Sequence, residues 1–318
     1  MAHSLDRRGF LKSSIAASTG AALTFGFEEK VLLAREKEAP KNAVSAVSTS
    51  DMPTGKIGDV TISRLICGGN LISGFAHSRD LMYVSPLLEH YFTDQKVFET
   101  FQACESNGIN TAILRLDSNT ERIINTYWRE KSGNLQWIAQ VKPKQGDLTG
   151  DAKRAVDLGA IGVYVQGETG DAFVRNGHVD LLNKVIESIR DQNVIAGMGA
   201  HDINVVKECE KAGIKSDFYM KTFNSKNYWS AGPQERHDSV WEETPEETLE
   251  FMKTVEKPWI AFKVLGAGAI HPNEGFKYAF ENGADFICVG MFDFQVAEDA
   301  TIAKKVLTTV TRTRPWKA

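Results

Sequence analysis

The stretch Asn107-Gly108-Ile109-Asn110-Thr111-Ala112-Ile113-Leu114-Arg115 decides the fold. An amphipathic helical run ends at Asn107, and Gly108 follows, where a left-handed backbone conformation closes a helix at no steric cost. A short apolar strand comes next, ending on a cationic residue. The same succession recurs at Leu158-Gly159, Ala212-Gly213 and Asn282-Gly283, each a few residues before a strand, so the chain repeats a strand-then-helix unit.

Working outward, eight β-branched or aromatic runs alternate with helical stretches, at residues 61–67, 110–114, 137–141, 162–165, 194–197, 218–221, 259–264 and 286–290. Thr244-Pro245-Glu246-Glu247 reads as a capping box, with Thr at the N-cap, Pro at N1 and Glu at N3. Asp202 stands where the fifth helix needs an N-cap. Eight such units over about 260 residues predict an α/β fold, a single-domain (β/α)₈ TIM barrel spanning residues 57–318.

The residues before the barrel read differently. Asp6-Arg7-Arg8-Gly9-Phe10-Leu11-Lys12, followed by a weakly apolar stretch over 15–27, resembles a twin-arginine signal peptide, assigned to residues 1–34. Residues 35–56, rich in Lys, Glu, Ala, Ser, Thr and Pro, read as a flexible linker. The resemblance implies the twin-arginine export machinery as a partner and a periplasmic or otherwise extracytoplasmic destination. No later run has the roughly 20 apolar residues of a spanning helix, so no membrane span is expected in the mature protein.

A net charge of −4 with 25% charged residues argues against a nucleic-acid surface and fits a small-molecule partner, with a carbohydrate among the candidates. Cys67, Cys104, Cys209 and Cys288 have neither disulfide nor zinc spacing and read as buried thiols. No metal site is expected, because His201 alone does not make one.

Active sites of such barrels form at the C-terminal ends of the strands. Three lysines fall there, and a lysine aimed into a barrel mouth is costly to desolvate unless it meets an anion or works as an acid, base or nucleophile. Lys142, His201 and Lys263 are accordingly the catalytic candidates. Arg115, Gln166, Lys221 and Asn224 are candidate substrate-binding residues, joined by Tyr228 and Trp229 from a long connection that mixes aromatics with amides, a composition suited to sugar rings. Gly266 and Gly268 after the seventh strand and Gly290 after the eighth are candidate cofactor-binding positions, since these loops cradle phosphate in many barrels.

Thr61-Ile62-Ser63-Arg64-Leu65-Ile66-Cys67-Gly68-Gly69-Asn70, Gly108 to Ala112, Ile138-Ala139-Gln140-Val141-Lys142-Pro143 and Tyr164-Val165-Gln166-Gly167 together resemble the aldo-keto reductase superfamily over residues 57–224. The last two units look more like phosphate-binding, aldolase-type barrels. The reductase resemblance implies NADP as cofactor and an Asp-Tyr-Lys-His set that protonates a carbonyl as hydride arrives. Of that set only Lys142 matches. Thr111-Ala112-Ile113 stands at the aspartate, no tyrosine follows before Tyr127, and Gln166 replaces the histidine. Three functions stay open: an aldo-keto-reductase-like oxidoreductase on a small polar or carbohydrate substrate, a cofactor-free lyase, epimerase or hydrolase on carbohydrates, and a non-catalytic sugar-binding barrel.

Overall fold

A computed structural model describes residues 52–75, 81–228 and 242–318. An antiparallel hairpin, β1 (Thr54–Ile57) and β2 (Val60–Ser63), precedes a closed parallel barrel. The barrel strands are β3 (Leu65–Gly68), β4 (Thr111–Arg115), β5 (Gln136–Val141), β6 (Gly162–Val165), β7 (Ile195–Ala200), β8 (Phe218–Thr222), β9 (Trp259–Phe262) and β10 (Phe286–Val289), with β10 pairing back onto β3. The eight-fold α/β barrel expected from the repeat is therefore the fold.

The helices are α1 (Val84–Tyr91) and α2 (Asp94–Ser106) after β3, α3 (Ser118–Glu130) after β4 and α4 (Gly150–Asp157) after β5. Two helices, α5 (Gly167–Arg175) and α6 (Val179–Arg190), follow β6. They are succeeded by α7 (Ile203–Lys211), α8 (Pro245–Met252), α9 (Pro272–Glu281) and α10 (Val296–Thr309). Gly108, Gly159, Gly213 and Gly283 all adopt positive φ, between 69° and 101°, as the helix-closing reading requires.

Two details differ from the sequence reading. The run 61–67 is not one strand: β2 ends at Ser63 and β3 starts at Leu65, with Arg64 between them. Arg64 instead serves the barrel floor, donating to Asp285 O at 2.9 Å and Ala318 O at 2.7 Å. The capping box at Thr244 does not form either. Pro245 opens α8, but the Thr244 side chain makes no cap, and its N–H donates to Glu242 Oε1 at 3.1 Å.

Side chains alternate along each strand, as a barrel buried on both faces demands. Ile66, Ile113, Ile138, Tyr164, Phe218, Met220, Ile260, Phe286 and Cys288 fill the interior, while their neighbours pack under the helices. Ile57 and Ile62 of the hairpin join the interior cluster. The hairpin thus includes Thr54–Ile57, taking in residues 54–56 that the composition grouped with the linker. Gly197 is required inside because a β-carbon there would run into the Phe218 ring. All four cysteines are buried and free. Among the described residues no helix is long and apolar enough to cross a membrane.

Candidate active site

A cavity of about 1020 Å³ opens at the C-terminal ends of β4 to β9. Its centre is a histidine held by an aspartate. β7 ends at Ala200, which places His201 on the rim, and Asp202 caps α7 by accepting from Asn204 N at 2.8 Å, as its position in the sequence suggested. Opposite, α5 approaches β7 closely because Gly170 has no side chain: a β-carbon there would lie 2.5 Å from Gly199 O. That approach sets Asp171 against the turn. Its carboxylate accepts the His201 N–H at 3.0 Å and the Asp202 N–H at 3.1 Å, and Oδ2 lies 2.8 Å from His201 Nδ1.

A carboxylate already accepting two backbone N–H groups is an acceptor, so Nδ1 carries a proton, and in the neutral ring the lone pair is on Nε2. His201 and Asp171 are only 12% and 13% exposed. The ring leans on Phe262, with centroids 5.4 Å apart, and Gly167 leaves it room: a β-carbon there would lie 2.9 Å from Cε1. A ring held in this way can act as a general base.

A smaller recess of about 270 Å³ adjoins the cavity, and the two share Asn70, Phe75, Arg115, Gln140, Tyr164, Phe262 and Lys263 as walls. Gln140 Nε2 donates to Tyr164 Oη at 2.6 Å, which occupies the phenol as an acceptor while its own proton points elsewhere. Burial pushes the Tyr164 phenol well above its ordinary range, so it stays protonated and can donate to a developing oxyanion.

The other expected residues distribute unevenly. Lys142, just past β5, lines the cavity with its ammonium 4.0 Å from Glu168 Oε2. Lys263 lines both cavities, in a left-handed conformation of φ 59° that non-glycine residues rarely adopt. Arg115 pairs with Asp117 through Nε at 2.9 Å and lies over the Phe75 ring at 4.8 Å. Gln166 lines the cavity and accepts from Thr169 Oγ1 at 3.1 Å.

Lys221 does not reach the mouth. It is fully buried, donating to Glu242 Oε2 at 2.6 Å and to Thr222 O at 2.8 Å. Burial lowers its pKa against the opposing pull of Glu242. Glu242 itself lines the cavity, so the lysine's place is to hold that carboxylate from behind. Asn224 is likewise buried, with Nδ2 donating to the Lys263 carbonyl at 3.3 Å, and is a support of the Lys263 turn rather than a ligand contact. Tyr228 lines neither cavity. Trp229 lies outside the described residues.

The glycine positions have local explanations. Gly266, Ala267 and Gly268 form one 3₁₀ turn with φ of 53°, 54° and 88°. A β-carbon on Gly290 would lie 3.0 Å from Leu71 Cγ. The surroundings do not suit a dinucleotide phosphate. Helix N-termini after the seventh and eighth strands bind phosphate through exposed N–H groups, yet the first turn of α9 carries Glu274 and that of α10 carries Glu298, and among the described residues the basic ones lining the recess are Arg115 and Lys263. The described residues of these two loops therefore do not fit an NADP phosphate. Among the described residues no three His, Cys, Asp or Glu side chains are grouped to hold a metal ion.

Asp171, Tyr164, Gln140 and Gly167 escaped the sequence reading. A signal existed for two of them: Gln140 is an amide inside the apolar run Trp137 to Val141, and Tyr164 falls in the inward register beside it, since Gln140 pairs with Tyr164 across β5 and β6.

No family model matches the chain, and no curated protein sequence matches it. Solved structures do resemble it. A Pseudomonas aeruginosa protein assigned to the aldo-keto reductases superposes with a TM-score of 0.59 at 14% identity, covering 83% of this chain and 100% of that one. An aldo-keto reductase from Bacillus halodurans gives 0.51 at 12% identity over 83% and 98% of the two chains. A truncated 3-deoxy-D-arabino-heptulosonate 7-phosphate synthase from Thermotoga maritima gives 0.51 at 12% identity over 84% and 97%. What this chain shares with the aldo-keto reductases is the closed (β/α)₈ barrel.

Proposed function

We propose that the protein is an enzyme that moves a proton at carbon on a small, uncharged, polyhydroxylated carbonyl compound, an isomerase or epimerase of the carbohydrate class that needs no nucleotide. The observation that carries this reading is the Asp171–His201 pair beside a large polar cavity. His201 Nε2 takes a proton from the carbon next to the carbonyl. Asp171 stabilises the imidazolium that forms, and Tyr164, with Lys263 and Arg115 at the same wall, receives the charge gathering on the carbonyl oxygen. Return of the proton from Nε2 to the former carbonyl carbon, with the proton of the neighbouring hydroxyl passed to the former carbonyl oxygen through Tyr164, completes the isomerisation, so the reaction needs no other reactant.

The charge balance supports an uncharged substrate. Among the described residues, four cationic side chains line the cavity, Arg115, Lys142, Arg175 and Lys263, against six carboxylates, Glu168, Asp171, Asp202, Glu242, Glu243 and Glu247. A multiply phosphorylated compound would meet net repulsion there. Carbonyl reduction is the second reading, favoured by the shared barrel and by the Tyr164 phenol as a proton donor.

The two are separated by incubating the purified protein with a panel of aldoses and ketoses in deuterated water and following exchange at carbon by proton NMR, in parallel with NADPH consumption. Exchange that disappears in His201→Ala is the expected result. Oxidation of NADPH by any of these sugars, without exchange, overturns the isomerase reading in favour of the reductase.

We also propose export by the twin-arginine route, on the strength of Arg7-Arg8 and the residues around them, which lie outside the described structure. Cell fractionation of the intact chain and of Arg7→Lys/Arg8→Lys tests it: the wild type should reach the extracytoplasmic fraction and the variant should stay inside.

A further inference from the structure

The recess shares the polar wall of the cavity but has an apolar floor of its own. Its floor is the upper layer of the barrel interior, Ile113, Met220 and Cys288, and its sides include Leu71, Phe262 and Phe292. A base working on a small sugar has no use for such a surface, and an apolar cavity left to water forfeits the contacts that an apolar ligand would make. At about 270 Å³ the recess exceeds the roughly 150 Å³ in which a buried cavity accepts one benzene ring. It opens on the main cavity along the wall that carries Tyr164 and Gln140, so one molecule can occupy both spaces with its reacting carbon at the junction.

We infer that the substrate is two-part: a polyhydroxylated head in the cavity beside His201 and an aromatic arm, of about one substituted ring, in the recess beside Leu71. The inference rests on the carbohydrate reading of the cavity and adds the class of its substituent.

Isothermal titration calorimetry with two defined probes tests it, methyl β-D-glucopyranoside for the head alone and phenyl β-D-glucopyranoside for head and arm, with NADPH as a third. Burial of the phenyl ring should tighten binding about tenfold or more over the methyl compound. Leu71→Asp, which places a charge on the recess wall, and Leu71→Trp, which fills the space, should each bring the two glycosides within about twofold while leaving the methyl affinity unchanged. Equal affinities in the wild type overturn the inference while leaving the carbohydrate reading intact. Binding of neither glycoside overturns the two-part substrate, while the exchange assay with free sugars decides the carbohydrate reading separately. NADPH binding that is lost in Leu71→Trp assigns the recess to a nicotinamide ring and overturns the inference as well.

Discussion

Asp171 Oδ2 stands 2.8 Å from His201 Nδ1 while the same carboxylate receives the backbone N–H groups of His201 and Asp202. One side chain thus fixes both the position of the turn after β7 and the tautomer of the ring it presents. Asp171→Asn keeps the size and one carbonyl oxygen for the backbone donors, but offers an N–H or a weaker acceptor to Nδ1. Proton transfer by a positioned side chain contributes on the order of 10²- to 10⁴-fold. The variant should lose exchange activity at the lower end of that range or more, with its melting temperature lowered by only a few degrees. Retention of full activity would remove His201 from the role of base.

Lys221 and Glu242 form, among the described residues, the one ion pair in the neighbourhood of the site that is buried on both sides, at 0% and 2% exposure. Truncating one member strands the other's charge, which costs about 3–5 kcal/mol. Lys221→Met should therefore lower the unfolding free energy by about that amount, measured by urea denaturation. Lys221→Met/Glu242→Gln removes both charges and should recover more than half of the loss. Additive losses in the double variant would show that the two residues act independently.

The repeat of glycine, strand and polar strand end made the barrel legible, because a backbone device at a fixed place in each unit leaves a trace in one dimension. The same logic placed His201, Lys142 and Lys263 at strand ends, where they line the cavity. It misplaced Lys221, whose partner Glu242 is 21 residues further on beyond a long connection. It missed Asp171 for a related reason: 30 residues separate it from His201, and only the glycine-to-glycine approach of α5 to β7 brings them together. Strand ends are readable from local pattern, whereas the partner of a residue depends on which helix leans on which strand.

Asp299, in the first turn of α10, is 4% exposed, and burial raises its pKa to about 7. In the unfolded chain its carboxyl loses its proton near pH 4, whereas the folded chain holds the proton until about pH 7. Between these values the native state binds more protons than the unfolded one, so this residue makes stability fall as pH rises from about 4 to 7, and level off above. Asp299→Asn, which cannot ionise, should be more stable than the wild type by roughly 2–4 kcal/mol at pH 8 and nearly equal to it at pH 4. Denaturation curves at the two pH values decide this; a difference independent of pH would assign the effect to packing.

Lys263 gives the sharpest opposition between stability and function. Its φ of 59° is a left-handed conformation, in which a β-carbon costs about 1–2 kcal/mol that glycine avoids. The strain is held in place by neighbours: Gly266 N donates to the Lys263 carbonyl at 2.9 Å, and Asn224 Nδ2 at 3.3 Å to the same oxygen. The result is an ammonium-bearing residue at the wall common to both cavities. Lys263→Gly relieves the strain, at the expense of a more flexible unfolded chain, and should be more stable than Lys263→Ala by about 0.5–1 kcal/mol. Both variants lack the ammonium, so both should lose exchange activity to the same extent, at least tenfold. Thermal unfolding paired with the deuterium-exchange assay separates the two effects. A glycine variant less stable than the alanine one would mean that the turn is unstrained, and equal activity in all three proteins would take Lys263 out of the chemistry.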